Sequence, residues 1–138
     1  MSGSYWLMKS EPDSYGWADL VADGETEWEG VRNAAAANNL RAMTAGDEAL
    51  FYHSGSAPEA VGVVRITRGA QPDGPDGRFV SVRVEPVRAL PRPVTLSVMK
   101  SEPTLADLAV VRQPRLSVSA VSKEAWTVLM GLAGDPVN

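Results

Sequence analysis

Trp28-Glu29-Gly30-Val31-Arg32-Asn33 places a large aromatic, a glycine, a guanidinium and an amide together, immediately before the alanines at 34–37. Asn33 is a good N-cap and alanine the best helix former, so a helix is expected from Ala34 through Met43. The arrangement is a pocket wall followed by a helix start. Helix N-termini carry unpaired N–H groups and partial positive charge, so a ligand edge or a phosphate beside Trp28, Arg32 and Asn33 would meet donors. Trp28 also has an ordinary reading as core, and Arg32 as a solvated surface charge.

Two further places carry polar groups at the end of an apolar run. Tyr5-Trp6-Leu7-Met8 reads as a buried strand, and Lys9 and Ser10 follow it before Pro12 stops it. Glu48-Ala49-Leu50-Phe51-Tyr52 reads as a second strand and runs into His53-Ser54, which contains the only histidine of the chain. A histidine beside a serine suggests a base and a nucleophile. Neighbours on a strand point to opposite sides, however, and a triad would also need an orienting carboxylate, for which nothing singles out a residue beyond a guess at Asp47. One histidine and no cysteine cannot build the usual zinc centre, and no carboxylate pair suggests glycoside hydrolysis. The residues therefore ask for no catalytic role, no metal and no cofactor, and binding is the expected chemistry.

The elements that must position these groups can be read in order. Ser14 is expected to cap a short helix running through Leu20 and ending near Asp23-Gly24. Ala60–Arg68 is β-rich, and 69–77 is rich in glycine, proline and aspartate, as turns are. Phe79–Val87 alternates, with Val80, Val82 and Val84 on one face and Ser81, Arg83 and Glu85 on the other, the pattern of a half-solvated antiparallel strand. Pro91 and Pro93 bound another short run, Val94–Leu96, and a helix is expected over Thr104–Leu108. Ser122 should cap a last helix in which Trp126, Leu129 and Met130 face the core. Met99-Lys100-Ser101-Glu102-Pro103 repeats Met8–Pro12 residue for residue, but its flanks do not match, so there is no repeat architecture. Together these elements indicate a single α/β or α+β domain over 1–138, barrel-like, with five or six strands.

Composition bounds the partners. With no cysteine, neither disulfides nor thiolate sites are available. Met1-Ser2-Gly3-Ser4 has neither the charge nor the apolar stretch of a secretory signal, and no apolar run approaches ~18 residues. A cytoplasmic protein without a membrane partner is expected. The net charge of −4 weighs against a dedicated nucleic-acid binder, but residues 1–59 hold three Lys or Arg against ten acids, whereas 60–123 hold ten against five. Such asymmetry permits a basic face on an acidic protein. Arg112 and Arg115 belong to that second half, and arginine suits bidentate contact with phosphate.

The segments YWLMKSEP at 5–12, WEGVRN at 28–33, NNLRAM at 38–43, GDEALFYHS at 46–54 and RLSV at 115–118, in this order, resemble the EVE domain family of the PUA-like superfamily. The resemblance covers nearly the whole chain. It implies a PUA-like pseudo-barrel of mostly antiparallel strands with short flanking helices. It also implies a pocket that accepts a modified nucleobase on DNA or RNA, related to the YTH domain that reads methylated adenosine. Carried over by position, the ligand site would comprise Lys9, Ser10, Trp28, Arg32, Asn33, Tyr52, His53 and Ser54; the basic second half separately suggests Arg112 and Arg115 for the nucleic-acid backbone. Two other readings stand beside it. One is an enzyme on a nucleobase or nucleoside with His53 as general base. The other is a protein-interaction module whose pocket is vestigial, suggested by the acidic balance and by Ala34–Ala37.

Overall fold

Apolar residues at every second position commit this chain to a sheet whose two faces bury different cores. The computed structural model describes residues 4–75 and 77–134; Asp76 of the expected turn and both ends of the expected 1–138 domain lie outside the described residues. Among the described residues there are six strands: β1 (Tyr5–Ser10), β2 (Thr26–Trp28), β3 (Glu48–His53), β4 (Glu59–Pro72), β5 (Val80–Thr95) and β6 (Val118–Val121). The helices are α1 (Trp17–Asp23), α2 (Ala34–Ala42), α3 (Leu96–Ser101), α4 (Ala109–Arg112) and α5 (Lys123–Ala133). One sheet runs β2-β5-β4-β3-β1-β6, with β1 and β3 parallel and every other neighbouring pair antiparallel. The expected α+β class and strand number hold.

Phe51 of β3 and Met8 of β1 point into an inner core with Trp6, Leu20, Trp28, Ala36, Leu40 and Val118. Leu50 and Tyr52, one residue out of phase, point into a second core closed by Trp126, Leu129 and Met130 of α5. That helix begins as expected, with Ser122 Oγ accepting from the Ala125 N–H at 3.1 Å, and Trp126 stacks on Tyr5 at 4.4 Å. The long strands β4 and β5 slip register at four places, between Ala60 and Gly62, Val63 and Val64, Ile66 and Arg68, and Arg68 and Gln71. Bulges bend strands. The sheet curls until its two edge strands share one core, Trp28 of β2 and Val118 of β6 lying in the same cluster. Helix α2 packs beside them, and Asn39 Nδ2 donates to the Val118 carbonyl at 2.7 Å. The result is a pseudo-barrel, closed by side chains where the ladder is open.

Several boundaries differ from the sequence expectation, each for a physical reason. Ser14 does not cap α1: residues 11–15 form a turn on the Glu11 carbonyl, so the helix starts later, at Gly16, whose N–H is taken by Asp19 Oδ2 at 2.8 Å. Val94 and Thr95 are not a separate strand but the end of β5. Prolines at 91 and 93 are tolerated because β2 pairs only with Val82–Val84, which leaves one edge of β5 unpaired there. Thr95 then caps α3, and the helix expected at Thr104–Leu108 is a 3₁₀ turn, Pro103–Leu105, followed by α4.

The short β2 is held to the sheet by charge as well as by its ladder. Arg68 grips Glu27 with two bonds, 3.0 and 2.7 Å, the Ser81 hydroxyl donates to the same carboxylate, and Arg83 bridges Glu27 and Glu25. The Arg68 bonds first, then the Ser81 hydroxyl, bring the Glu27 carboxyl from the usual 4.5 down to about 2. A carboxyl with a lowered folded-state pKa stabilises fully above its unfolded value, and that contribution disappears as pH falls through the folded one. The wild type should therefore lose more stability in urea melts between about pH 5 and pH 2.5 than Glu27→Gln. Equal losses would remove Glu27 from this role.

Candidate binding pocket

Where the β1–β6 side of the curled sheet faces β2, a cavity of about 680 Å³ opens. The end of β1 contributes Lys9 and Ser10, the turn before α1 contributes Tyr15, β2 contributes Trp28, the following loop contributes Val31, Arg32 and Asn33, and Ser117 precedes β6. The sheet register creates this meeting, since Lys9 N–H donates to the Ser117 carbonyl at 2.9 Å.

The polar groups are already partly committed, and this decides what each can still offer. Ser10 Oγ donates to the Tyr15 carbonyl at 2.6 Å, so its remaining capacity is to accept. Asn33 Oδ1 accepts from the Ala36 N–H at 2.9 Å, the expected cap, which leaves its amide hydrogens to donate. Lys9 Nζ donates to the Pro114 carbonyl at 2.9 Å and lies 5.9 Å from the Tyr52 ring centre; partial burial lowers its pKa. Trp28 is 9 % exposed and meets Phe51 edge-on at 5.7 Å, so it is both core and wall. Tyr15 donates its hydroxyl to Asp23 Oδ2 at 2.7 Å.

The rim is fixed by one carboxylate. Asp73, in the β4–β5 connection, accepts from Arg32 Nη1 at 3.0 Å and from the Gly30 N–H at 2.8 Å, and these bonds, Arg32 first, hold its pKa below the usual range. Gly30 adopts φ of 80°, a left-handed conformation open to glycine at little cost, as its N–H is donated to Asp73.

Five of the residues expected at the site therefore come together: Lys9, Ser10, Trp28, Arg32 and Asn33. Three do not line the cavity. Tyr52 is 2 % exposed and belongs to the opposite core, because it alternates with Phe51 along β3. His53 shares the Phe51 face, but its Nε2 accepts the Trp17 N–H at 3.1 Å, so it anchors α1. Ser54 lies past the strand end, its N–H bonded to the Ser10 carbonyl at 2.9 Å. Asp47 sits at the other end of β3 from His53, bonded to Trp6, so no triad forms. Arg112 is ion-paired with Asp107 at 2.9 Å, whereas Arg115 lines a second cavity of about 380 Å³ that shares Asn33 with the first. Tyr15 and Ser117 were not anticipated. For Tyr15 the signal was an aromatic in a pre-helix loop beside Gly16; Ser117 lies within the RLSV segment, of which only Arg115 was singled out. Among the described residues no group of three or more acidic, histidine or cysteine side chains is placed to hold a metal.

The EVE domain family matches residues 4–132. The chain belongs to that family. This EVE domain is 32 % identical to thymocyte nuclear protein 1 of Mus musculus, across 94 % of its own length and 73 % of the relative. The NMR structure of a Rhodopseudomonas palustris protein, 42 % identical, superposes with a TM-score of 0.91 over 95 % of this chain and 93 % of that one. Human thymocyte nuclear protein 1, crystallised in complex with DNA containing 5-methylcytosine, superposes at 0.87 with 30 % identity, over 97 % and 99 %. A YTH domain of Zygosaccharomyces rouxii, solved with N6-methyladenosine RNA, shares the fold alone, at 0.58 and 16 % identity over 98 % and 88 %.

Proposed function

We propose that this EVE domain binds nucleic acid by taking a modified nucleobase into the cavity walled by Lys9, Ser10, Tyr15, Trp28, Arg32 and Asn33. The observation that carries the reading is the cavity itself. At about 680 Å³ it falls within the roughly 300–1,000 Å³ of small-ligand sites, and it combines aromatic walls with a few convergent polar groups. Its uncommitted capacity is specific: the amide donors of Asn33 and the acceptor of Ser10, whereas the Lys9 ammonium lies on the Tyr52 side of the sheet against the Pro114 carbonyl. Cytosine and adenine each present an exocyclic amino donor beside acceptors, which this set complements. The human family member crystallised with 5-methylcytosine DNA supports the same class of ligand. Removing a base from its stack costs a few kcal/mol, and aromatic stacking at ~1–3 kcal/mol per base together with these bonds offsets it. Arg32 at the rim and Arg115, in the second cavity that shares Asn33, are cations available to flanking phosphates.

An enzymatic alternative would need His53 as base, and that nitrogen is occupied by Trp17 outside the cavity lining. We place the activity in the cytoplasm on the cysteine-free composition, although the mammalian relative is named as a nuclear protein. Among the described residues no helix is long and apolar enough to cross a membrane.

Calorimetry with modified and unmodified nucleosides, and with strands carrying them, tests the reading. One modified base should be preferred over its parent by more than about tenfold, a difference of ~1.4 kcal/mol. The preference should widen as salt rises, because a net charge of −4 supplies little unspecific affinity and screening removes that part first. Equal binding of modified and parent strands at low and high salt would sink it in favour of the interaction module.

A further inference from the structure

Beside the cavity, on the side of the β4–β5 connection, two guanidiniums lie over one partly exposed phenyl ring and a third is tied to the same segment. Arg32 lies 5.0 Å from the Phe79 centroid and Arg78 lies 5.4 Å from it. Arg41, in the last turn of α2, donates to the Arg78 carbonyl and to Asn38 Oδ1 at 2.8 Å. Arg32 also lines the cavity, so the group forms a seam that starts at the rim and runs along α2.

We infer that this seam holds the phosphodiester backbone of the strand whose base enters the cavity. The inference rests on the base-capture reading for its direction, but the seam has its own physical grounds. Arg41 is positioned by neutral acceptors, which orient a guanidinium without cancelling its charge, whereas Arg32 is ion-paired with Asp73 and offers only its remaining N–H groups. Arg32 and Arg78 share one ring, so they are at most about 10.4 Å apart, a spacing suited to the close succession of charges along a strand. The cations are arginines, whose planar forks match phosphate oxygens. Phe79 holds both guanidiniums against its ring, and the outer plane of a guanidinium is a surface on which a neighbouring base can stack. An acidic peptide would find the charges but no use for those planes.

The experiment compares wild type, Arg41→Gln, Arg78→Gln and the double variant, leaving Arg32 untouched because it belongs to the cavity. The probes are a short single-stranded DNA with one 5-methylcytosine, its unmodified twin and free 5-methyldeoxycytidine. The double variant should bind both strands about tenfold more weakly near 50 mM salt, with a salt slope shallower by about 1.4, or 0.7 per lost contact. Its affinity for the free nucleoside, and its preference between the two strands, should not change. Lys123→Ala, which removes a charge on α5, should leave the slope as it is. If the double variant melts early, the single variants carry the test with half the effect. An unchanged slope overturns the seam, and so does competition by polyglutamate as effective as by DNA of equal charge. A wild type that ignores both methylation and the free nucleoside defeats base capture instead, while an arginine-dependent slope in that same protein upholds the seam.

Discussion

Replacing Trp28 by alanine should destabilise the domain by about 3–5 kcal/mol and reduce binding of a modified nucleoside at least tenfold at temperatures where the variant stays folded. The first effect follows from burial: the indole is 9 % exposed and packs edge-on against Phe51, which also meets Trp17 and His53 at 5.6 Å each. Removing it opens a void among rings that cannot collapse to fill it. The second effect follows from its place on the cavity wall, where no other described tryptophan stands. Trp28→Phe separates the two roles. It should restore most of the stability and only part of the affinity, since phenyl fills the core but presents a smaller face. Thermal melting and nucleoside calorimetry on the two variants give the answer. Affinity within threefold of wild type in a folded Trp28→Ala would put the ligand elsewhere.

The second large effect is expected at the far end of the barrel, with the opposite functional outcome. Asp47 is 5 % exposed and accepts three hydrogen bonds of 3.0 Å, from the Ser4 N–H, the Trp6 indole N–H and the Thr44 N–H. It thereby joins the start of β1, the turn after α2 and the start of β3. Alanine there strands three donors, one of them on a buried indole, at ~1–3 kcal/mol for each buried group left unsatisfied. Asp47→Ala should lose roughly 3–5 kcal/mol, enough to lower the melting temperature by about 10 °C or more. Because the cavity lies at the other end of β1, nucleoside affinity of the folded fraction at low temperature should match wild type. Retained stability would mean that water replaces the carboxylate. Lost affinity would mean that the two ends of the barrel are coupled.

The two copies of Met-Lys-Ser-Glu-Pro separate what local sequence decided from what it did not. Met8-Lys9-Ser10 closes strand β1, whereas Met99-Lys100-Ser101 closes helix α3. Glu-Pro ends both elements, because proline cannot continue either a helix or a central strand, and that much was legible. Which element it ends is set by the partners: β1 has β3 on one side and β6 on the other, while α3 starts from the Thr95 cap at the end of β5.

The same division runs through the whole molecule. Signals that act within a few residues were readable: Asn33 and Ser122 as caps, alternation at Val80, Val82 and Val84, and the motifs that mark an EVE domain; of the turn expected over 69–77, residues 69–72 instead continue β4, because they pair with β5. The half of the pocket carried by contiguous motifs, Lys9 with Ser10 and Trp28 with Arg32 and Asn33, was readable for that reason. Strands β2 and β6 were not, since three or four residues carry too little periodicity and exist through pairing with chain far away. Nor could the sequence decide between Tyr52 and its neighbour. One step along a strand moves a side chain through the sheet, and only the curl of β4 and β5 determines which side becomes the cavity and which the core beneath α5.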